Sequence, residues 1–464
     1  MSMQCPWLLS ATPKGLKARL SRPGSLDPRI ASASLAPNMR PPLIHATRDC
    51  YADAIGPGGL VATDHAKARD RATAKLAALR AAMGRDPALD CLAAAHWQED
   101  LAALRQIADD FGTRFDDVIL IGIGGSGLSA RALAAATPIG RCRLHVMANL
   151  QPGRLEGVLG AVDLARTGFL LVSKSGSTVE VMAQALIVLP RLDAAVGRAA
   201  LADRVRGIAV QGNNPLRALA AKWGFPVSDH PPDVAGRYSV LTLVGMLPAL
   251  LLGLDPATIR QGAASVLGTP DAAEGAALMA GFYRTGRPIS VMLAYDERLS
   301  WFTRWYAQLW AESLGKGGLG MTPVTALGPV DQHSQLQLYL DGPPDKVFTV
   351  LVPASAGTGL EIAVDQIGDI EALAYLGGRS IGDIVAAAAR ATVETLVAHQ
   401  RPVRLVLVPV IDEAAMGALF MHFMLETILT ADLLGVDPFD QPAVDEGKVR
   451  ARDYLRTGRV ALEL

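Results

Sequence analysis

Short apolar runs of β character alternate with longer alanine-rich stretches of helical character, and this alternation leaves the chain few folds to adopt. Runs at 118–123, 142–147, 168–173 and 207–211 come first, with helical segments such as 129–136 and 179–189 between them. A second series follows at 288–294, 347–352 and 403–408. Strands interleaved with helices are the pattern of βαβ units and a parallel sheet covered on both faces. Further helices are expected at 68–83 and 392–399.

A chain of 464 residues exceeds one ordinary core, so two domains are expected. The expected class is α/β, with two three-layer αβα domains of mainly parallel sheet and additional C-terminal helices. The first domain would span 91–255. The second would span 256–464 with the C-terminal helices, and a helical segment at 41–90 would pack on it. The first forty residues carry Lys14, Lys17, Arg19, Arg22, Arg29 and Arg40 against one acid, Asp27. Such a segment could be a targeting peptide. The reading preferred here is a disordered tail or a start site placed too early, with Met39 as the candidate true start.

A formal charge of −1 supplies no field for nucleic acid or an anionic membrane. The uncharged run 238–254 contains Ser239, Thr242, Gly245 and Pro248 and reads as a buried core helix rather than a membrane span. Cys5, Cys50, Cys91 and Cys142 form no CxxC pair, so free thiols and a reducing, cytoplasmic setting are expected. The eight histidines are scattered, and neither a metal nor a cofactor is expected.

Two loops carry the first chemistry. The strand at 118–121 runs into Gly122-Ile123-Gly124-Gly125-Ser126-Gly127 and then a helix, which read literally is a GxGxxG fingerprint. A dinucleotide site also wants an acid about twenty residues on to hold the ribose. No Asp or Glu occurs from Leu128 to Leu155, which disfavours it, although Arg143 and Arg154 could serve a 2′-phosphate form. What both readings share is small residues that let backbone N–H groups approach a phosphate at a helix N-terminus. The second loop, Ser173-Lys174-Ser175-Gly176-Ser177-Thr178, also joins a strand to a helix. Capping needs one hydroxyl. Four hydroxyls with a glycine and a lysine exceed that need and favour an anion site.

Gln308 and Glu312 lie four residues apart in a segment that reads as helix, so they share a face near its end, with Arg304 one turn earlier. By itself Glu312 could be a solvated surface residue or a general base. The wider set is more specific. Gly124-Gly125-Ser126 with the loop Ser173–Thr178 resembles the sugar isomerase (SIS) domain, which binds phosphosugars. Adding Gly236-Arg237-Tyr238-Ser239, Gln308, Glu312-Ser313, Gly315-Lys316, His333 and the closing Phe439-Asp440-Gln441 to Gly447-Lys448, the chain resembles the glucose-6-phosphate isomerase family over roughly 45–455.

The resemblance implies two SIS-type domains and reversible conversion of glucose 6-phosphate to fructose 6-phosphate through an enediol(ate), in glycolysis and gluconeogenesis. It implies Glu312 as the base and Arg237 beside the enediolate, with Gln308 holding a hydroxyl or water. Gly124, Gly125, Ser126, Ser173, Lys174, Ser175, Ser177, Thr178 and Gly236 would bind substrate. His333 would open the sugar ring, entering from the neighbouring subunit of a homodimer, with Lys448 as its partner in ring opening. Ala235, Ala443 and Asp445 depart from the family's usual Gly or Pro, Gly, and Glu. A related activity on mannose 6-phosphate and a non-catalytic sugar-phosphate sensor are the alternatives.

Overall fold

The strand β2 (Asp117–Gly122) is buried along its whole length, as is β4 (Thr167–Val172), which is what a strand covered on both faces requires. In the computed structural model, which describes residues 41–136, 140 and 142–461, the two lie side by side within a five-stranded sheet. Its order is β3 (Arg143–Met147), β2, β4, β5 (Val205–Ala209) and β6 (Val227–Asp229), and every pairing is parallel. The second sheet runs β1 (Ile44–Ala46), β10 (Val403–Val408), β9 (Lys346–Pro353), β7 (Ile289–Ala294) and β8 (Thr322–Leu327). Only β1 is antiparallel, pairing Ile44 with Leu407.

The pleat distributes alternate side chains between different cores. Val118, Leu120, Leu170 and Val172 of the first sheet join Met292, Ala294, Val347 and Leu351 of the second in one large apolar cluster. Their neighbours Ile119, Ile121, Phe169 and Leu171 face a separate cluster. Val291, Leu293, Phe348 and Val350 face a third. Each sheet is therefore the middle layer of an αβα sandwich, and the inner layers are shared.

Helices that build the core and frame the sheet ends are α1 (Ala62–Ala82), α2 (Gly125–Ala136), α3 (Val179–Val196), α4 (Pro256–Val266), α5 (Asp271–Arg284), α6 (Ser300–Leu314), α7 (Glu413–Leu434) and α8 (Asp445–Thr457). α7 is apolar and long enough to cross a membrane, but 94% of its apolar window is buried inside the fold. It packs on α1, α4, α5 and α6. A Cβ on Gly417 would come 1.8 Å from the Ile259 carbonyl oxygen, so α7 and α4 touch backbone to backbone. Within this core Arg404 donates to both Glu426 oxygens at 2.6 and 2.7 Å and to Thr349 Oγ1 at 2.8 Å. Both charged side chains are fully buried.

The run 238–254 is buried as expected but is not a single helix. A 3-10 helix, Gly236–Leu241, gives way at Thr242 to the helix Leu243–Leu251. The fold-back is tight, since a Cβ on Gly245 would lie 2.0 Å from the Val240 carbonyl oxygen. Arg260 of α4 secures the end of the 3-10 helix, donating to the Leu241 carbonyl at 2.9 Å and bidentately to Asp100 at 2.6 and 2.7 Å. Cys50, Cys91 and Cys142 are free and buried. Cys5, the basic tail 1–40 and the alternative start at Met39 lie outside the described residues.

Candidate active site

The first loop leaves β2 through Gly124, whose φ of +61° suits glycine. Close approach matters more than the turn itself. A Cβ on Gly125 would sit 2.1 Å from the Gly236 carbonyl oxygen and 2.7 Å from the Arg237 nitrogen. One on Gly124 would come 2.8 Å from Gln308 Nε2. Three distant motifs of the sequence therefore meet here. Ser126 is buried in the first turn of α2, and Gly236 borders open space, with nothing within 4 Å of its Cβ position.

The second loop leaves the neighbouring strand β4. Order reverses here, because β2 is followed in the chain by β3 on one side while β4 lies on the other. Crevices at such reversals are where open α/β sheets hold ligands. Ser173 Oγ and Thr178 Oγ1 are 2.8 Å apart, and Ser177 Oγ donates to Ser175 Oγ at 3.0 Å. Thr178 precedes α3 without capping it through its side chain, so the first N–H groups of α3 keep their capacity for an anion. Burial lowers the Lys174 ammonium from its usual value, with Asp233 opposing the shift and Arg237 adding to it. A bound phosphate would reverse that shift.

Arg237 is the most heavily bonded side chain in the site. Its Nε donates to Ser313 Oγ at 2.8 Å, and its Nη1 to Gln441 Oε1 at 2.5 Å and Glu312 Oε2 at 3.3 Å. Its Nη2 donates to the carbonyls of Pro438 and Asp440 at 2.6 and 3.0 Å. A guanidinium has five N–H donors, and all five are engaged. Tyr238 OH lies 3.0 Å from the same Ser313 hydroxyl, and burial raises its phenol from the usual value. Glu312 stays a third exposed, and its Oε1 accepts from Gln308 Nε2 at 2.9 Å. The Gln308 Oε1 is buried with no partner among the described residues. Glu312 is thus held from two sides on an open face of α6.

Of the expected site residues, the structure brings together Gly124, Gly125, Gly236, Arg237, Gln308 and Glu312, with Ser126 in the turn that follows the first loop and Ser173–Thr178 on the adjacent strand end. Among the described residues, no hydrogen bond or ion pair within the chain joins His333 or Lys448 to them. His333 is exposed and ends the 3-10 helix Val330–His333, whose Asp331 and Gln332 are half-buried. Lys448 lies on α8, which buries nothing, and pairs with Asp445 at 2.9 Å. Arg143, considered for a 2′-phosphate, sits at the opposite end of the sheet, bonded to Asp117 at 2.6 and 2.8 Å. Ala235 has φ −64° and ψ 145°, an extended conformation that any residue adopts, so its departure from Gly costs nothing in backbone strain. Ser313, Lys316 and Gln441 take part in the site although the sequence assigns them no role; their signal is membership of the motifs that hold Glu312 and Lys448.

Parallel αβα sheets, with a hydroxyl-rich loop at a carboxyl edge and a paired arginine and carboxylate, are in the fold of the SIS phosphosugar isomerases. Residues 106–321 match the model of the phosphoglucose isomerase family. The probable glucose-6-phosphate isomerase of Halobacterium salinarum is 38% identical over 339 residues, covering 71% of this chain and 78% of that protein. The glucose-6-phosphate isomerase of Thermus thermophilus is 35% identical over 373 residues, covering 77% and 88%. A hypothetical protein of known structure, also from Thermus thermophilus, superimposes with a TM-score of 0.78 at 32% identity, over 89% of this chain and 99% of that one. A glucose-6-phosphate isomerase from Chlamydia trachomatis shares the fold, with a TM-score of 0.68 at 21% identity over 78% and 74%. The chain belongs to the phosphoglucose isomerase family.

Proposed function

We propose that this protein interconverts glucose 6-phosphate and fructose 6-phosphate, with the phosphate held by the two loops and Glu312 as the moving base. The observation that carries the reading is the Glu312 carboxylate, fixed between the Gln308 amide and the Arg237 guanidinium beside an anion loop. Gly124, Gly125, Ser126, Ser173, Lys174, Ser175, Ser177 and Thr178 anchor the phosphate, and Gly236 borders the sugar.

A carbon-bound proton is weakly acidic, so its removal needs a placed base and charge to stabilise the oxyanion. Glu312 takes the proton from C2 of the open aldose. The C–H electron pair forms the C1=C2 bond, and O1 gains the charge. Arg237, charged at any working pH, stabilises this enediolate. The O2 proton moves to O1, Glu312 returns its proton to C1, and O2 becomes the ketone oxygen. Gln308 holds the carboxylate and a neighbouring hydroxyl or water.

Ring opening is assigned to His333 of a second subunit together with Lys448. Support comes from the exposed setting of His333, flanked by exposed Val330 and Leu338. The excursion after β9 likewise exposes Leu360, Val364, Ile370 and Tyr375, and apolar surface of that extent suits a homodimer contact. Residues 91–255 are read as the phosphate-holding half, and 256–464 as the half that carries the base. The free described cysteines suit the cytoplasm.

A coupled assay of fructose 6-phosphate to glucose 6-phosphate tests the reading. Glu312→Gln is expected to lower kcat by roughly 10²–10⁴-fold, the usual share of a general base. Turnover equal to wild type would remove Glu312 as base, and absence of turnover in the wild-type protein would remove the isomerase reading itself.

A further inference from the structure

The segment Asp437–Gln441 supplies three of the five acceptors that hold Arg237: the carbonyls of Pro438 and Asp440 and the amide oxygen of Gln441. The direction of the guanidinium is therefore set by where this turn lies. The turn has few other ties. Phe439 packs on Tyr238 with ring centroids 5.5 Å apart, and the Phe439 N–H donates to Asp437 Oδ1 at 2.8 Å.

Among the described residues, the polar tie from outside the turn other than Arg237 is Lys316. Its Nζ forms an ion pair with Asp440 Oδ1 at 2.7 Å and donates to the Asp437 carbonyl, so it clasps both ends of the bend. The lysine is itself well placed. α6 ends at Leu314, and Gly317, Gly318 and Gly320 all take positive φ in the reversal that follows. Lys316 thereby stays against the helix end, with 15% of its side chain exposed. The helix that carries Glu312 thus also carries the clasp for the turn that aims Arg237.

We propose that Lys316 is a positioning residue for the reaction: by tying down Asp437–Gln441 it holds Arg237 in register with Glu312. The inference rests on the isomerase reading and adds a residue to it. No substrate contact is assigned to Lys316.

The test compares wild type with Lys316→Ala, Lys316→Arg and Asp440→Asn in the full-length protein. Lys316→Ala is expected to lower kcat by about 10²-fold, the scale for a catalytic group displaced by about 1 Å, with KM changed far less. The primary isotope effect with C2-deuterated glucose 6-phosphate should rise as proton abstraction becomes limiting. Lys316→Arg should recover most of the rate, and Asp440→Asn should fall between. Backbone amides at 437–441 should exchange hydrogen faster in Lys316→Ala while thermal melting stays close to wild type. Wild-type kcat and isotope effect in Lys316→Ala would overturn the inference. So would equal losses in Lys316→Ala and Lys316→Arg. If the wild-type protein does not isomerise the sugar, the proposed function fails, and the exchange measurement still decides the clasp: unchanged exchange at 437–441 in Lys316→Ala would overturn it.

Discussion

A Cβ on Gly125 would lie 2.1 Å from the carbonyl oxygen of Gly236. These two glycines let the phosphate-type loop rest directly on the stretch of chain that presents Arg237. Gly125→Ala must therefore push the loop and the arginine apart, because the atoms that the new Cβ meets, in Gly236 and Arg237, are all backbone. We expect a loss of stability of about 1–3 kcal/mol, the usual range for overpacking, and a fall in kcat/KM larger than stability alone explains. Denaturant melts alongside the coupled assay would check both. A variant as active and as stable as wild type would mean that the loop can slide without consequence.

His230 gives the protein a pH dependence with a defined sign. Its Nδ1 lies 2.8 Å from the Pro231 carbonyl oxygen, which can only accept, so Nδ1 carries a proton. Burial pushes the imidazole down to about 4, against the Pro231 bond and aided by Lys174. The unfolded chain, with an ordinary histidine near 6.5, binds a proton between those values that the folded chain refuses. Stability from this group is complete above about pH 6.5 and is lost as pH falls towards 4, by at most about 1.4 kcal/mol per unit. Chemical melts at pH 7 and pH 5 should show a steeper loss in wild type than in His230→Leu. Equal slopes would exclude this origin.

The Arg404–Glu426 pair should respond asymmetrically to mutation. Glu426→Gln leaves a buried guanidinium without its counter-charge, at a cost of about 3–5 kcal/mol. Replacing both partners with apolar residues of similar volume, Arg404→Met with Glu426→Leu, should recover much of that. Thermal denaturation of the single and double variants gives the comparison. A double variant worse than either single one would indicate that Thr349 and His422, which also face the pair, need the charges.

The proposed entry of His333 from a second subunit makes a prediction for mixed subunits. His333→Ala and Glu312→Gln proteins, each inactive alone, should regain activity when co-expressed as heterodimers, because one composite site would be intact. Purified heterodimers without activity would place ring opening within a single chain.

How much of this was legible from residues alone depends on burial. β2, β4, β5, β7, β9 and β10 are buried along most or all of their length, and their largely apolar runs mark them to within two residues. β1 and β6 have three residues each, and β8 begins Thr322-Pro323 at a sheet edge with mixed exposure, so none gave such a run. The same logic applies to the site. Hydroxyl and glycine clusters are readable because they are local. That Ser313 and Gln441 grip Arg237 depends on segments far apart in the chain approaching each other, which no local pattern encodes.

The pairing of β1 with β10, together with the packing of α1 on α7, has a consequence for biosynthesis. The first sheet takes all its strands from 117–229 and can assemble soon after that stretch leaves the ribosome. The segment 44–82 is made earlier but meets α5 only when 271–284 emerges, where Tyr51 bonds Glu274, and its packing is completed only with 403–434, when Ile44 meets Leu407 and Arg71 meets Asp432. A stretch made before the first sheet thus completes its packing after it, and its apolar face must be kept from other partners in the meantime.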